Sequence, residues 1–190
     1  MPPRSDDIRV TVRVVILVVA ATDLELCGHD GLVCGIGPVE AAAATAGELA
    51  LRRPASLVHV GLAGARGLAP GTIVVGAEAR YVDLAAAVPV VDCERPHPAL
   101  LDAVLKALPD AALLTIGTTA AVGSAPDDVP VEAMEGFGVL RAAARAGVPA
   151  VEVRAVSNEL GEPERARWQL GTGLEALRDA LPRLLVALEA

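Results

Sequence analysis

Apolar residues occur in short runs rich in Val and Ile that alternate with longer alanine-rich segments. The short runs are typical of buried strands, whereas the alanine-rich segments have the composition of helices. The pattern predicts strands at residues 10–21, 31–35, 57–60, 72–81, 111–116 and 149–157. It predicts helices at residues 40–53, 99–108, 135–146 and 164–189. We therefore expect an α/β fold, a three-layer α/β/α sandwich around a central, twisted and largely parallel (mixed) sheet.

Between these elements the sequence predicts a glycine-rich turn at residues 61–71, an irregular region at 83–98 and a loop at 117–130. The loop is long enough to be functional. Pro182 lies inside the last predicted helix and is expected to kink or split it. No linker interrupts the pattern, and 190 residues suffice for a sizeable core, so we expect a single domain over residues 1–190.

Hydrophobic residues make up 53% of the chain, yet no run reaches the roughly 18 apolar residues of a membrane span. Residues 14–21 follow two arginines, as in a signal peptide. They lead into Thr22, Asp23 and Glu25 rather than into a small-residue cleavage site, and their composition suits a strand. We therefore expect no export and no membrane partner.

Cys27, Cys34 and Cys93 form no CxxC pair and lie near no cluster with metal-ligand spacing. Isolated reduced thiols are expected, which favours a cytoplasmic location without a metal site. The net charge of −8 and the single lysine argue against a nucleic-acid partner, because phosphate binding needs clustered basic residues. A small-molecule ligand fits this composition better.

Four segments are candidates for chemistry. Residues 35–41 match a GxGxxxA dinucleotide fingerprint, but the next predicted strand ends at Gly61 without the acid that would hold a ribose, so we predict no NAD and no other cofactor. Residues 60–65 contain Ala63 and Gly64 and are either a tip at which backbone amides approach a ligand or an ordinary tight turn.

The other two segments carry polar side chains. Glu135 is either a first-turn acid favoured by the helix dipole or, together with Met134, part of a binding site for ribose, whose hydroxyls would donate to its carboxylate. Ser157 and Asn158 end a predicted strand, where open α/β sheets bind ligands, although a turn-forming Asn is the plainer alternative.

In this order, the four segments resemble the nucleoside phosphorylase and nucleosidase superfamily over most of the chain. Met134-Glu135-Gly136, Arg154-Ala-Val-Ser157-Asn158 and Trp168 look most like its futalosine hydrolase branch. The resemblance implies a phosphorylase/hydrolase-like fold and a homo-oligomeric enzyme. It further implies that this enzyme hydrolyses futalosine to hypoxanthine and dehypoxanthine futalosine in menaquinone biosynthesis. It also implies that Met134 and Glu135 hold the ribose, that Asn158 contacts the purine and that Glu25 activates water.

These residue types suit cleavage of a purine nucleoside, in which positive charge develops on the sugar and negative charge on the base. An Asn amide donates hydrogen bonds at any pH, and its two hydrogens are expected to reach the imidazole nitrogen and the 6-oxo group of hypoxanthine together. Three alternatives stay open: a methylthioadenosine/adenosylhomocysteine nucleosidase, a purine nucleoside phosphorylase and a non-catalytic nucleoside-binding protein.

Other positions are less defined. Residues 120–122 lack the aromatic residue that commonly stacks on the base in this superfamily. Arg66 is the basic residue of the glycine-rich turn, where a phosphate site would need one, and Arg66 and Arg80 are candidates for the distal carboxylate of futalosine. His59, like the other histidines, and Trp168 are expected to be structural.

Overall fold

The computed structural model describes residues 15–189, in which eight strands accompany four α-helices. The strands are β1 (Ile16–Ala20), β2 (Leu32–Val33), β3 (Ser56–Ala65), β4 (Ile73–Tyr81), β5 (Cys93–Glu94), β6 (Ala112–Thr118), β7 (Val131–Ala133) and β8 (Ala150–Glu159). The helices are α1 (Pro38–Leu51), α2 (Pro98–Ala107), α3 (Gly136–Ala146) and α4 (Leu170–Glu189), with a 3-10 turn at Arg165–Arg167. Residues 10–14 of the first predicted strand lie outside the described residues.

Proline and glycine mark several helix ends. α1 and α2 each begin with a proline, where the missing N–H has no helical acceptor to lose. α3 stops at Gly147, whose φ of 69° suits glycine and whose N–H caps the carbonyls of Ala143 and Ala144. Pro182 lies within α4, which continues as one helix, so the predicted split is wrong.

The eight strands form one mixed sheet. β3 pairs in parallel with β1 and β8, and β4 pairs in parallel with β6 and antiparallel with β8. β7 joins β6 to the far end of β3, so β3, β8, β4, β6 and β7 close into a ring. β1, β2, β3 and β8 run in one direction and bring their carboxyl ends to one edge, whereas β4, β6 and β7 run in the opposite direction.

Helices cover both faces of the sheet. Side chains of β1 alternate between them: Val18 packs with α2 and α4, whereas Leu17 and Val19 pack with α1 and α3. This confirms the three-layer expectation. No helix among residues 15–189 is both long and apolar enough to cross a membrane.

Three element predictions need correction. The predicted turn at 61–71 is strand up to Ala65, because β8 pairs along the whole of β3. The last helix begins at Leu170 rather than at 164, and the 3-10 turn precedes it. β5 interrupts the region predicted to be irregular, and strand β7 lies between the predicted loop and the predicted helix, where no element was predicted.

Candidate active site

A cavity of about 260 Å³ opens at the carboxyl ends of β1, β3 and β8. All seven predicted site residues line it: Glu25, Ala63, Gly64, Met134, Glu135, Ser157 and Asn158. The fold thus brings together residues that are up to 133 positions apart, 158 less 25, in the sequence. Among residues 15–189 no cluster of acids, histidines or cysteines is arranged to hold a metal ion.

Glu25 lies in the turn that follows β1, with its carboxylate fixed by three donors. Its Oε2 accepts hydrogen bonds from the backbone N–H and the hydroxyl of Thr22, at 3.0 and 2.7 Å, and its Oε1 accepts one from Leu62 N at 2.9 Å. A carboxylate offers about four acceptor sites, so one remains for a ligand or a water molecule on the cavity side.

Glu135 immediately precedes α3 and is almost completely buried. Its Oε1 accepts a hydrogen bond from Gly37 N at 3.2 Å, and its Oε2 faces Nη1 of Arg154 at 3.3 Å. Two of the roughly four acceptor sites of this carboxylate stay unused. They suit a pair of neighbouring hydroxyls.

Arg154 is the centre of a buried polar network behind Glu135. Its Nε donates to Glu152 at 2.8 Å, Nη1 lies 3.4 Å from the Leu62 carbonyl, and Nη2 donates to His59 Nε2. The His59 ring therefore carries its proton on Nδ1, which donates to the Val19 carbonyl at 3.0 Å. The network fixes the guanidinium that holds Glu135.

Burial sets the charge states of this network. The pKa of His59 lies well below its ordinary value, because burial and the adjacent Arg154 both disfavour the imidazolium. Burial raises the pKa of Glu152, against the opposing effect of Arg154, and one Glu152 oxygen has no hydrogen-bond partner. The imidazole is consequently a neutral acceptor for Arg154.

Two glycines make room for the network. A Cβ at Gly61, which lies opposite Arg154 in the strand register, would be 2.9 Å from Glu25 Oε1 and would overlap Arg154 Nη1. A Cβ at Gly136 would overlap the Glu152 carboxyl group. The glycines around β3 therefore serve the side chains of the site rather than a tight turn.

Asn158 closes the opposite wall of the cavity. Asn158 Nδ2 donates to the Glu159 carbonyl at 3.0 Å, which assigns Nδ2 as the donor end because a carbonyl oxygen only accepts, and Ser157 Oγ then donates to Oδ1 at 2.8 Å. One amide hydrogen is thus already used, so one rather than two remains for a ligand. A Cβ at Gly64 would crowd Nδ2 at 2.9 Å.

Glu132, which the sequence analysis did not single out, anchors the loop after β6. Its carboxylate accepts three backbone hydrogen bonds, of 2.6 to 2.8 Å, from residues 123–125. From this loop Val122 reaches the cavity wall, and the aromatic residue in the lining is Trp168. The local sequence predicts neither the role of Glu132 in holding this loop nor the position of Trp168 in the cavity wall.

The basic residues proposed for ligand anions lie elsewhere. Arg66 faces the carbonyls of Ala125 and Val129, and Arg80 pairs with Glu78 and Asp128. Neither lines the cavity. Among residues 15–189, the Lys or Arg side chain that does so is Arg165, on the 3-10 turn.

The network residues missed by sequence analysis do have a signal. Glu152 and Arg154 are two positions apart in a strand whose first seven residues are otherwise apolar, so their side chains share one face of a buried strand. Two opposite charges on a buried face predict a paired, functional network. His59, expected to be structural and without a partner, contacts Arg154 directly.

Solved structures share this fold. A futalosine hydrolase from Helicobacter pylori strain 26695 superposes with a TM-score of 0.80 at 15% identity, over 90% of this chain and 97% of that one. A 5'-methylthioadenosine/S-adenosylhomocysteine nucleosidase from Colwellia psychrerythraea 34H, in complex with adenine, gives 0.80 at 22% identity over 91% and 95%. The chain therefore has the nucleoside phosphorylase and nucleosidase fold.

Sequence comparison narrows the class. The chain is 38% identical to a futalosine hydrolase from Streptomyces coelicolor over 192 aligned residues, 86% of this chain and 81% of the relative. It is 34% identical to a futalosine hydrolase from Acidothermus cellulolyticus, over 82% and 74%. No protein-family model matches it. The chain belongs to the futalosine hydrolase family.

Proposed function

We propose that this protein is a nucleosidase that hydrolyses the N-glycosidic bond of futalosine, releasing hypoxanthine and dehypoxanthine futalosine in menaquinone biosynthesis. One observation carries the proposal: two buried carboxylates, Glu25 and Glu135, and one oriented amide, Asn158, line the same cavity in a chain of this family.

Glu135 is the proposed ribose ligand. Its two unused acceptor sites can receive the 2' and 3' hydroxyls, while the thioether of Met134 packs against the sugar. The carboxylate also favours the positive charge that develops on the ribose as the bond to the base breaks. Arg154 and Gly37 N keep it oriented through the reaction.

Asn158 is the proposed base ligand. Its Oδ1 is held by Ser157 and one Nδ2 hydrogen is held by the Glu159 carbonyl, and the remaining Nδ2 hydrogen is the proposed donor to the 6-oxo group of the purine. Donation stabilises the negative charge on the leaving hypoxanthine. A 6-amino group would itself present a hydrogen to Nδ2, so the amide favours 6-oxopurines.

Glu25 is the proposed general base. Its remaining acceptor site can take a proton from the water that attacks the anomeric carbon. Phosphate is disfavoured as the attacking group, because the cavity wall carries Glu25, Glu132 and Glu135, whose charges repel an anion.

A product assay tests this function. The protein is incubated with futalosine, inosine and methylthioadenosine, with and without phosphate, and the products are separated by chromatography. Hypoxanthine release from futalosine without phosphate is expected. Phosphate-dependent turnover would indicate a phosphorylase, adenine release from methylthioadenosine alone would indicate the adenine-specific nucleosidase, and no turnover would indicate a binding protein.

We also propose that the enzyme acts in the cytoplasm as a homo-oligomer with a single domain per chain. The free cysteines Cys27, Cys34 and Cys93 support a reducing compartment. Light scattering coupled to size-exclusion chromatography measures the oligomeric state. A monomeric mass at micromolar concentration would contradict the oligomer.

A further inference from the structure

The mouth of the cavity holds an arginine above an indole ring. The guanidinium carbon of Arg165 lies 6.0 Å from the centre of the Trp168 ring, and both side chains line the cavity. Trp168 Nε1 donates to the Glu162 carbonyl at 3.1 Å, so the ring is oriented by the backbone. We call this pair the Arg165–Trp168 rim.

The positive charge of Arg165 is not paired by the acids nearest to it in the sequence. Two acids precede it, but both pair with Arg167: Glu162 at 3.5 Å and Glu164 at 2.9 Å. Within residues 15–189, no carboxylate forms an ion pair with Arg165. A guanidinium carries five N–H donors in a flat fork that matches a carboxylate.

The walls next to the rim are apolar. Large aliphatic side chains line this part of the cavity, and two of them are well exposed, Leu24 at 70% and Ile36 at 61%. Exposed aliphatic side chains grouped at a cavity mouth favour contact with a ligand. They suit an apolar group, whereas Arg165 suits an anion at the end of it.

We propose that the Arg165–Trp168 rim binds a carboxylate at the far end of the 5' substituent of the nucleoside, with the apolar part of that substituent lying against Trp168, Leu24 and Ile36. The proposal rests on the proposed function and extends it to substrate selection. In the proposed function the purine contacts Asn158 and the ribose contacts Glu135, so a 5' substituent leaves the cavity through its open mouth. Futalosine carries such a terminal carboxylate, and inosine does not.

Binding and turnover of futalosine and inosine test this site. Arg165→Met keeps the length of the side chain and removes its charge, Arg165→Lys keeps the charge without the fork, and Arg167→Met is the matched control on the same turn. Dissociation constants come from calorimetry with each of these proteins carrying Glu25→Gln in addition, so that the ligand is not consumed, and kcat and KM come from hypoxanthine release by the proteins that keep Glu25.

Arg165→Met is expected to weaken futalosine binding by about tenfold to a hundredfold, the usual effect of losing a charge-assisted hydrogen bond. Inosine binding should change less than twofold, Arg165→Lys should recover part of the loss, and Arg167→Met should bind both ligands normally. The advantage of futalosine over inosine should also shrink at high salt in wild type.

Equal losses for both ligands in Arg165→Met, or no loss, would overturn the rim as a carboxylate site. So would wild-type protein that binds futalosine no more tightly than inosine. Because binding is measured separately from turnover, a protein that binds futalosine through Arg165 but releases no hypoxanthine would refute the hydrolase assignment and leave the rim standing.

Discussion

Replacing Arg154 by Met removes the buried cation that Glu135 and Glu152 share. Methionine has a similar length, so the packing changes little while both ion pairs, at 3.3 and 2.8 Å, are lost. Removing one partner of a buried pair costs roughly 3–5 kcal/mol. Because Arg154 serves two carboxylates, we expect the free energy of unfolding at pH 8 to fall by about 4–5 kcal/mol.

The loss should depend on pH. Burial already raises the pKa of Glu152 above its ordinary value of 4.5, and Arg154 opposes that rise, so the variant should raise the pKa further. A group whose pKa is higher in the folded state stabilises the fold below its unfolded pKa and loses that contribution as pH rises through the folded pKa. The deficit of the variant should therefore be smaller at pH 5 than at pH 8.

Urea unfolding at pH 5 and pH 8, followed by circular dichroism, measures both quantities. Arg141→Met is the matched control, since Arg141 pairs with Glu94 at 2.7 Å but is about one-third exposed, and it should cost less than about 1 kcal/mol. A cost for Arg154→Met below about 1 kcal/mol, or one equal at the two pH values, would refute the network as described.

Three further substitutions test the site, and a fourth, Gly47→Ala, serves as a control. Glu25→Gln should fold normally and lose about a hundredfold to ten-thousandfold in kcat, and activity within about threefold of wild type would exclude the general-base role. Glu135→Gln should lower kcat together with affinity, whereas a change in KM alone would mean that the carboxylate holds only the ground state. Gly136→Ala should destabilise the fold by about 1–3 kcal/mol in urea unfolding, because its Cβ meets the Glu152 carboxyl group. Gly47→Ala, with open space in α1, should instead stabilise it by about 0.4–1 kcal/mol, and equal effects of the two would contradict the packing argument.

Local pattern was sufficient for most of the fold. The Val-rich runs and the alanine-rich segments predict the order of the long elements, because burial on both sheet faces leaves a direct trace in composition. The predicted strand stopped at residue 60, because Gly61 and Gly64 are residues typical of turns, whereas β3 continues to Ala65. The role of the two glycines depends on Arg154 and Asn158, which lie far away in the sequence.

Some residues of the site could be predicted from the sequence, and others could not. Residues at strand ends and in a resembling motif, such as Glu135 and Asn158, could be predicted, and the structure places them around one cavity. Arg165 could not be, because its place at the mouth depends on the irregular turn before α4. The free donor of Asn158 also required the contact with the Glu159 carbonyl, which no sequence pattern indicates.

The specificity of Asn158 for a 6-oxopurine is the central claim, and one ratio tests it most directly. It compares kcat/KM for futalosine with kcat/KM for its 6-amino analogue, in wild type and in Asn158→Asp. Asp places an acceptor against the 6-oxo group, and such a mismatch costs on the order of 1–3 kcal/mol, or roughly tenfold to a hundredfold in rate. We expect wild type to prefer futalosine and the ratio to move toward the 6-amino analogue by that factor in the variant. A ratio that does not move would show that Asn158 does not select the base and would contradict the account.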